Sequence, residues 1–341
     1  MKEREAAQQR LEKEQEERRK AYEEEQQKLK AEFGFTFNDV LHNLVVIKHD
    51  DGAGSGFVAR IDGQRYLLTN QHVILGASGL SFKTLGGETL RPKKIELAAS
   101  RDIARLLLDE GDGLGVSNAV GIDVPIAVFG NSEGAGVATE LYGKTTGVGA
   151  DVLEVSAEFV KGNSGSPLLN TDGEVLGIAS YVMFSPARRD TEGTKFESQT
   201  RRFCYKITGA DWQEVNWRKF NRDYGEPYAE SVRFVEDVQS LLSGMNQYPP
   251  QVVNAAAISD SLLQKWPVGY NEALKNIRKS QGVHDYQNSM EELGSLCQKH
   301  AWRLRTRIKQ RKFGGFVLSD LETKADYLES LAKLLQESFQ D

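Results

Sequence analysis

The sequence predicts a β-plus-α chain, with an all-β block flanked by a charged helix before it and a helical region after it. Three observations carry that prediction. Glycine and proline are absent from residues 1–33, which are dominated by strong helix formers. From Gly34 to about Gly209, short β-branched runs alternate with turn residues. Beyond Ala210, apolar residues return to three- and four-residue spacing.

The first block pairs charges at i,i+4, as in Glu14 with Arg18 and Glu16 with Lys20, which favours a solvated helix. At 1.5 Å per residue it would reach about 50 Å. Only Leu11, Tyr22 and Leu29 are sizeable apolar residues, and Arg18 and Glu25 interrupt their heptad. The block reads as a charged spacer or loosely associating helix, with an oligomerisation stalk as the alternative.

In the second block, the candidate strands are Leu44–Lys48, Gly56–Ile61, Tyr66–Thr69, Ile126–Phe129, Val152–Ser156, Val175–Ser180 and Phe203–Ile207. Asp51-Gly52, Asp62-Gly63, Gly86-Gly87 and Asp172-Gly173 mark hairpin turns. Hairpins in series imply an antiparallel barrel or sandwich. The third block predicts helices over Glu230–Met245, Ala255–Trp266, Tyr270–Lys279, His284–Gln310 and Ser319–Phe339. Ser319 and Glu322 fit a capping box, and Tyr248-Pro249-Pro250, Pro267 and Gly314-Gly315 are breaks. The expected domains are thus residues 1–33, 34–209 and 210–341.

Composition removes several function classes. The net charge of −6 disfavours nucleic acid as a partner, because phosphate binding needs a basic surface. The basic run Arg303–Lys312 reads as a solvated helix face, with a nucleic-acid or membrane-surface role as the alternative. No run of about 18 apolar residues occurs, so no membrane span is expected. The opening MKEREAAQQR has no apolar h-region, which implies a cytoplasmic chain as given, or an exported or periplasmic one if a signal segment preceded it. Cys204 and Cys297 have no metal-ligand spacing and read as buried free thiols. No metal and no organic cofactor is called for. Self-association, if any, would run through the N-terminal or C-terminal helices.

Three segments of the β block carry chemistry. Thr69-Asn70-Gln71-His72-Val73 places an imidazole at a strand end, Arg101-Asp102-Ile103-Ala104 places a carboxylate before an apolar run, and Gly162-Asn163-Ser164-Gly165 places a hydroxyl between glycines. Each alone is an ordinary structural feature; the order His, Asp, Ser within an all-β stretch is what carries weight. Acyl transfer needs this set. A serine hydroxyl needs a base to accept its proton, and an imidazole needs a carboxylate to hold its tautomer. The oxyanion needs preorganised donors, here the N–H groups along Gly162, Asn163 and Ser164.

With Gly54-Ser55-Gly56-Phe57-Val58, Ser166-Pro167-Leu168 and Gly173-Glu174-Val175-Leu176-Gly177-Ile178 added, residues 35–209 resemble the trypsin-like serine peptidases of the bacterial HtrA/Deg branch. The resemblance implies a chymotrypsin-like double antiparallel β-barrel and a serine endopeptidase. Ser164 would be the nucleophile, His72 the general base and acid, and Asp102 the orienting group. A polypeptide substrate would add as a strand beside Ala179-Ser180-Tyr181. Glu158, six residues before the nucleophile, would lie at the base of the P1 pocket and favour Lys or Arg; the alternative points it to solvent. Asn163 stands where many such peptidases carry an Asp, so no activating ion pair with a freed N-terminus is expected. The segment Met183–Arg202 would be a polar loop beside the pocket, with a disordered segment as the alternative, and Trp212–Trp217 would pack the C-terminal helices onto the barrel. No PDZ domain is recognisable. The competing function is an inactive peptidase-like scaffold or peptide-binding module whose helical region mediates interactions.

Overall fold

The computed structural model describes residues 2–50, 52–132, 137–185, 194, 199–246, 283–310 and 315–337, and the thirteen strands among these residues, all before residue 215, build an antiparallel sheet and a closed antiparallel barrel. The chain divides into two units, Met1–Trp217 and Arg218–Asp341.

In the first unit, β1 (Leu44–His49), β2 (Gly52–Ile61), β3 (Gln64–Thr69), β4 (Ser81–Thr84), β5 (Lys94–Ala98) and β6 (Ala104–Leu107) form one sheet. A seventh strand, β13 (Trp212–Glu214), joins it, giving the order β13-β5-β6-β3-β2-β1-β4. The β2–β3 hairpin turns at Asp62-Gly63 with φ of 51° and 79°, the left-handed pair that a two-residue turn requires. The other six strands are β7 (Pro125–Gly130), β8 (Thr139–Val148), β9 (Val152–Val155), β10 (Pro167–Leu169), β11 (Val175–Ser185) and β12 (Gln199–Lys206). They close into a barrel in the order β10-β11-β12-β9-β8-β7. One core fills the barrel around Ile126, Val128, Leu153 and Leu168. A second lies between barrel and sheet, where Phe57 and Leu68 meet Phe129, Tyr142 and Ile178.

Several expectations need correction. Trp212–Glu214, expected only as an aromatic packing segment, is a strand: it pairs with β5, and Arg105 lies 4.6 Å from the Trp212 ring and 4.7 Å from that of Tyr66. Arg105 also bonds Glu96 at 2.7 Å, so a cation held by two rings and a carboxylate fixes this strand. The ends of the expected loop Met183–Arg202 are strand, since β11 and β12 pair from Gly177↔Lys206 out to Ser185↔Gln199.

The N-terminal helix, Lys2–Lys30, is more than a spacer. Its residues 12–20 are exposed, with salt bridges such as Lys20–Glu16 at 2.8 Å. Its last turns dock on the barrel: Leu29 is buried, and Phe33, just beyond the helix, meets the Tyr142 ring edge-on at 5.2 Å. The sequence shows this as a sparse i, i+4, i+7, i+11 series of Tyr22, Gln26, Leu29 and Phe33.

The described residues of the second unit contain helices and no strand. The helices Glu226–Asn246, Val283–Lys309 and Phe316–Glu337 bury Phe234, Leu296, Leu304, Leu321 and Leu328. The expected helices Ala255–Trp266 and Tyr270–Lys279 lie outside the described residues. Ser319 caps nothing: the last helix starts at Phe316 because Gly315, at φ 106°, turns the chain and Val317 is already buried, leaving Ser319 inside the helix. The basic run is partly neutralised within the unit, with Arg305 on Glu329 and Arg307 on Glu230. No helix among the described residues is long and apolar enough to cross a membrane.

Candidate active site

His72 sits on a single helical turn, Gln71–Ile74, directly after β3. Two buried amides, Asn70 and Gln71, precede it. The Asn70 Nδ2 donates to the Asp102 carbonyl at 2.6 Å and to Ser180 Oγ at 2.7 Å. The Gln71 Nε2 donates to the carbonyls of Ala98 and Arg101, both at 2.8 Å. Three of these four bonds fasten the turn carrying His72 to the β5–β6 turn carrying Asp102, and the fourth ties it to β11. Asp102 then takes the imidazole: its Oδ2 is 2.5 Å from His72 Nδ1, and its Oδ1 accepts the His72 backbone N–H at 3.1 Å. The carboxylate side chain is only 7% exposed while the imidazole is 31% exposed, so one end of the pair is dry and the other is open. A carboxylate so placed keeps the proton on Nδ1, which makes Nε2 the ring nitrogen with a lone pair that can accept one.

Arg101 anchors the same turn to the barrel. Its guanidinium donates to the carbonyls of Lys206 and Thr208, both at 2.7 Å, and to Asp151 at 2.6 Å.

Ser164 stands between two glycines in left-handed backbone, Gly162 at φ 96° and Gly165 at φ 90°. A methyl group on Gly165 would lie 2.0 Å from the Ser55 carbonyl oxygen, so only glycine lets the loop pass this close to β2. Ser55 N–H donates to the Ser164 carbonyl at 3.1 Å, and the Ser55 hydroxyl donates to the Gly162 carbonyl at 2.8 Å while accepting the Asn131 N–H at 2.9 Å. Thr69, at the end of β3, donates to the Ser55 carbonyl at 2.7 Å. Ser55 is therefore shared between the strand that presents His72 and the loop that presents Ser164.

Ser180 closes the cluster. The β11–β12 register slips between Ala179 and Tyr181, leaving Ser180 as a bulge. Its hydroxyl meets Asn70, and its carbonyl oxygen is 3.4 Å from Ser164 Oγ. His72, Asp102 and Ser164 are thereby tied into one neighbourhood through Asn70 and Ser180. Among the described residues, the N–H groups of Gly162 and Ser164 have no protein acceptor, whereas Asn163 N–H is spent on the Val160 carbonyl at 3.0 Å. Two free amide donors beside a hydroxyl are what an oxyanion requires. Asn163 is fully buried, and its Oδ1 accepts the Val160 N–H at 3.0 Å and the Ser132 hydroxyl at 3.1 Å, so a neutral amide holds this loop.

The other expected binding residues differ in availability. Ala179 uses both its N–H and its carbonyl on Ser166 and Gly165. Tyr181 is 37% exposed and stacks on Phe203 at 4.9 Å, and Val182 and Met183 continue an exposed apolar strip. Glu158 is exposed between buried Ala157 and Phe159. It raises the pKa of the Tyr22 phenol, which burial raises most and Arg202 counteracts, so these three groups are near neighbours. Cys204 and Cys297 are buried and free, their thiols pushed up by burial, Cys297 to about 12. No group of three or more His, Cys, Asp or Glu among the described residues is placed to hold a metal ion.

Sequence reasoning passed over Ser55, Asn70 and Gln71 as working residues. The available signal was polarity in the wrong place: a serine and two amides sit directly against apolar strand runs.

A family model described as a trypsin-like peptidase domain matches residues 54–178. The chain is similar to Protease Do-like 1, chloroplastic, of Arabidopsis thaliana, with 31% identity over 161 residues, which are 42% of this chain and 36% of that protein. It is 28% identical over 167 residues to Serine protease Do-like HtrA of Bacillus subtilis, covering 43% of this chain and 36% of that protein. The crystal structure of the serine endoprotease from Yersinia pestis aligns with a TM-score of 0.38 at 23% identity, over 50% of this chain and 60% of that one. The matched region spans about a third of the length of these curated relatives.

Proposed function

The chain carries a trypsin-like peptidase domain with HtrA- and Deg-like relatives, and on that premise we propose that it is a serine endopeptidase acting through an acyl-enzyme on Ser164. The observation that carries this reading is the His72–Asp102 pair, bonded at 2.5 Å and linked through Asn70 and Ser180 to Ser164. His72 Nε2 takes the Ser164 proton as Oγ attacks the scissile carbonyl, and returns it to the leaving amine. Asp102 holds the imidazole and stabilises its cation. The Gly162 and Ser164 amides receive the oxyanion, each worth about 3–4 kcal/mol in the barrier. Water then repeats the sequence on the acyl-enzyme. A substrate strand lies beside Ala179-Ser180-Tyr181, where the bulge interrupts the β11–β12 register. We assign the peptidase to residues 34–209 and a separate role to the helical region that follows.

The test is cleavage of unfolded casein by the purified chain. Wild type is expected to produce fragments and Ser164→Ala none. A wild type that binds casein without cleaving it would favour the scaffold reading.

A further inference from the structure

The docked end of the N-terminal helix ends a strand ladder. On the side of β8 facing β9, Lys144 pairs with Ser156, through Ser156 N–H to the Lys144 carbonyl and Lys144 N–H to Ser156 Oγ, both at 2.9 Å. The chain then leaves the sheet over Gly143, where a methyl group would come within 2.4 Å of Ala157 N. The next ladder position on that side of β8 is Tyr142, and no strand fills it. The Gln26 side chain does: its Nε2 donates to the Tyr142 carbonyl and its Oε1 accepts the Tyr142 N–H, both at 2.9 Å. A primary amide carries the same donor and acceptor as a peptide group, so one side chain replaces a β-residue. Lys30 bonds Glu140 at 2.5 Å two residues along.

The segment released at Ser156 is the one that reaches Ser164. Its middle is held by Arg202, which donates to the Phe159 carbonyl at 2.9 Å, and Tyr22, one turn before Gln26, neighbours Glu158 and Arg202. A second route starts at the same strand residue. The Tyr142 ring meets Phe129 edge-on at 5.7 Å; Asn131, two residues beyond Phe129, bonds Ser55, which bonds Gly162. The helix thus grips the origin of the 156–164 segment and the strand pair behind its far end. Asn163, being neutral, offers no anchor for a charged N-terminus.

We propose that Gln26 is a positioning residue for the Ser164 loop, so that the docked N-terminal helix sets the rate of the chemical step from outside the cleft. The proposal rests on the serine endopeptidase reading above. It is tested on the full chain with a chromogenic peptide ester, with active sites titrated by a fluorophosphonate. Gln26→Ala should lower kcat per titrated site about tenfold, the scale of one to two lost hydrogen bonds, with KM within about twofold. Gln26→Met, which keeps side-chain length and helical preference, must reproduce the loss. Glu14→Ala, on the exposed half of the helix, should match wild type. Unchanged kcat per titrated site in both Gln26 variants overturns the proposal, including the case in which only the titratable fraction falls, because that is a structural role. A wild type that neither titrates nor hydrolyses the ester overturns the endopeptidase reading and this proposal together.

Discussion

Replacing Ser55 by alanine removes one oxygen atom from the place where sheet, barrel and nucleophile loop meet. Ser55 is 1% exposed, and its hydroxyl both donates to the Gly162 carbonyl at 2.8 Å and accepts the Asn131 N–H at 2.9 Å. Its backbone bonds to Ser164 and Thr69 do not depend on the side chain. Ser55→Ala therefore leaves a carbonyl and an amide without the hydroxyl that joined them, at about 1–3 kcal/mol each, for a total of roughly 2–6 kcal/mol. Part of that appears as lost stability. The rest is expected in catalysis, because the Gly162 carbonyl bond fixes the orientation of the residue whose N–H we propose as an oxyanion donor. Losing one such donor outright costs about 10²–10³ in kcat, which is the ceiling for a partial misplacement. The expected result is a fall of roughly 10- to 100-fold in kcat with KM nearly constant, and a lower urea midpoint with an unchanged slope. Steady-state kinetics on a peptide ester and urea denaturation read the two shares separately. A stability loss of the stated size with wild-type kcat would refute the link from Ser55 to the oxyanion loop.

Other perturbations test separate links. Asp102→Asn should lower kcat about 10⁴-fold, because an amide presents N–H to an imidazole nitrogen that must itself donate; near-normal turnover would place the orienting group elsewhere. Profiling of cleavage sites should show Lys or Arg at P1 in wild type and a weaker preference in Glu158→Gln; an unaltered profile would assign Glu158 to the contact with Tyr22 and Arg202. In the helical unit, burial holds the His300 imidazole down to about 4, with Arg307 and Arg303 lowering it further and Glu230 opposing. The unfolded chain takes up that proton near 6.5, so this contribution is complete above that pH and is lost as pH falls toward 4, by up to about 3 kcal/mol. Urea unfolding followed by far-ultraviolet circular dichroism should show that slope in wild type and a shallower one in His300→Leu; equal slopes would contradict it.

The β block was legible because hairpin turns are local: Asp62-Gly63 announces its left-handed pair in two letters. The candidate site could be named from the sequence because its residues stand in short contiguous motifs. What escaped notice depends on pairing across long separations. The short strands Ser81–Thr84, Lys94–Ala98 and Trp212–Glu214 are strands only because a neighbour is available, and a tryptophan held by Arg105 looks like any exposed aromatic in the sequence. Gln26 is the plainest case. Within a run of charged and amide residues nothing separates it from Gln27, and only the gap beside Tyr142 gives it a partner. The Ser319 cap failed for the opposite reason: the local motif was present, but burial of Val317 favoured an earlier start.

The central claim is that His72 makes the Ser164 hydroxyl, and no other in the chain, reactive. Mass mapping of the chain after reaction with a fluorophosphonate tests it directly. A single adduct on the peptide containing Ser164, absent from His72→Ala, is the predicted result. An adduct on another residue, or one on Ser164 that forms equally fast without His72, would contradict it.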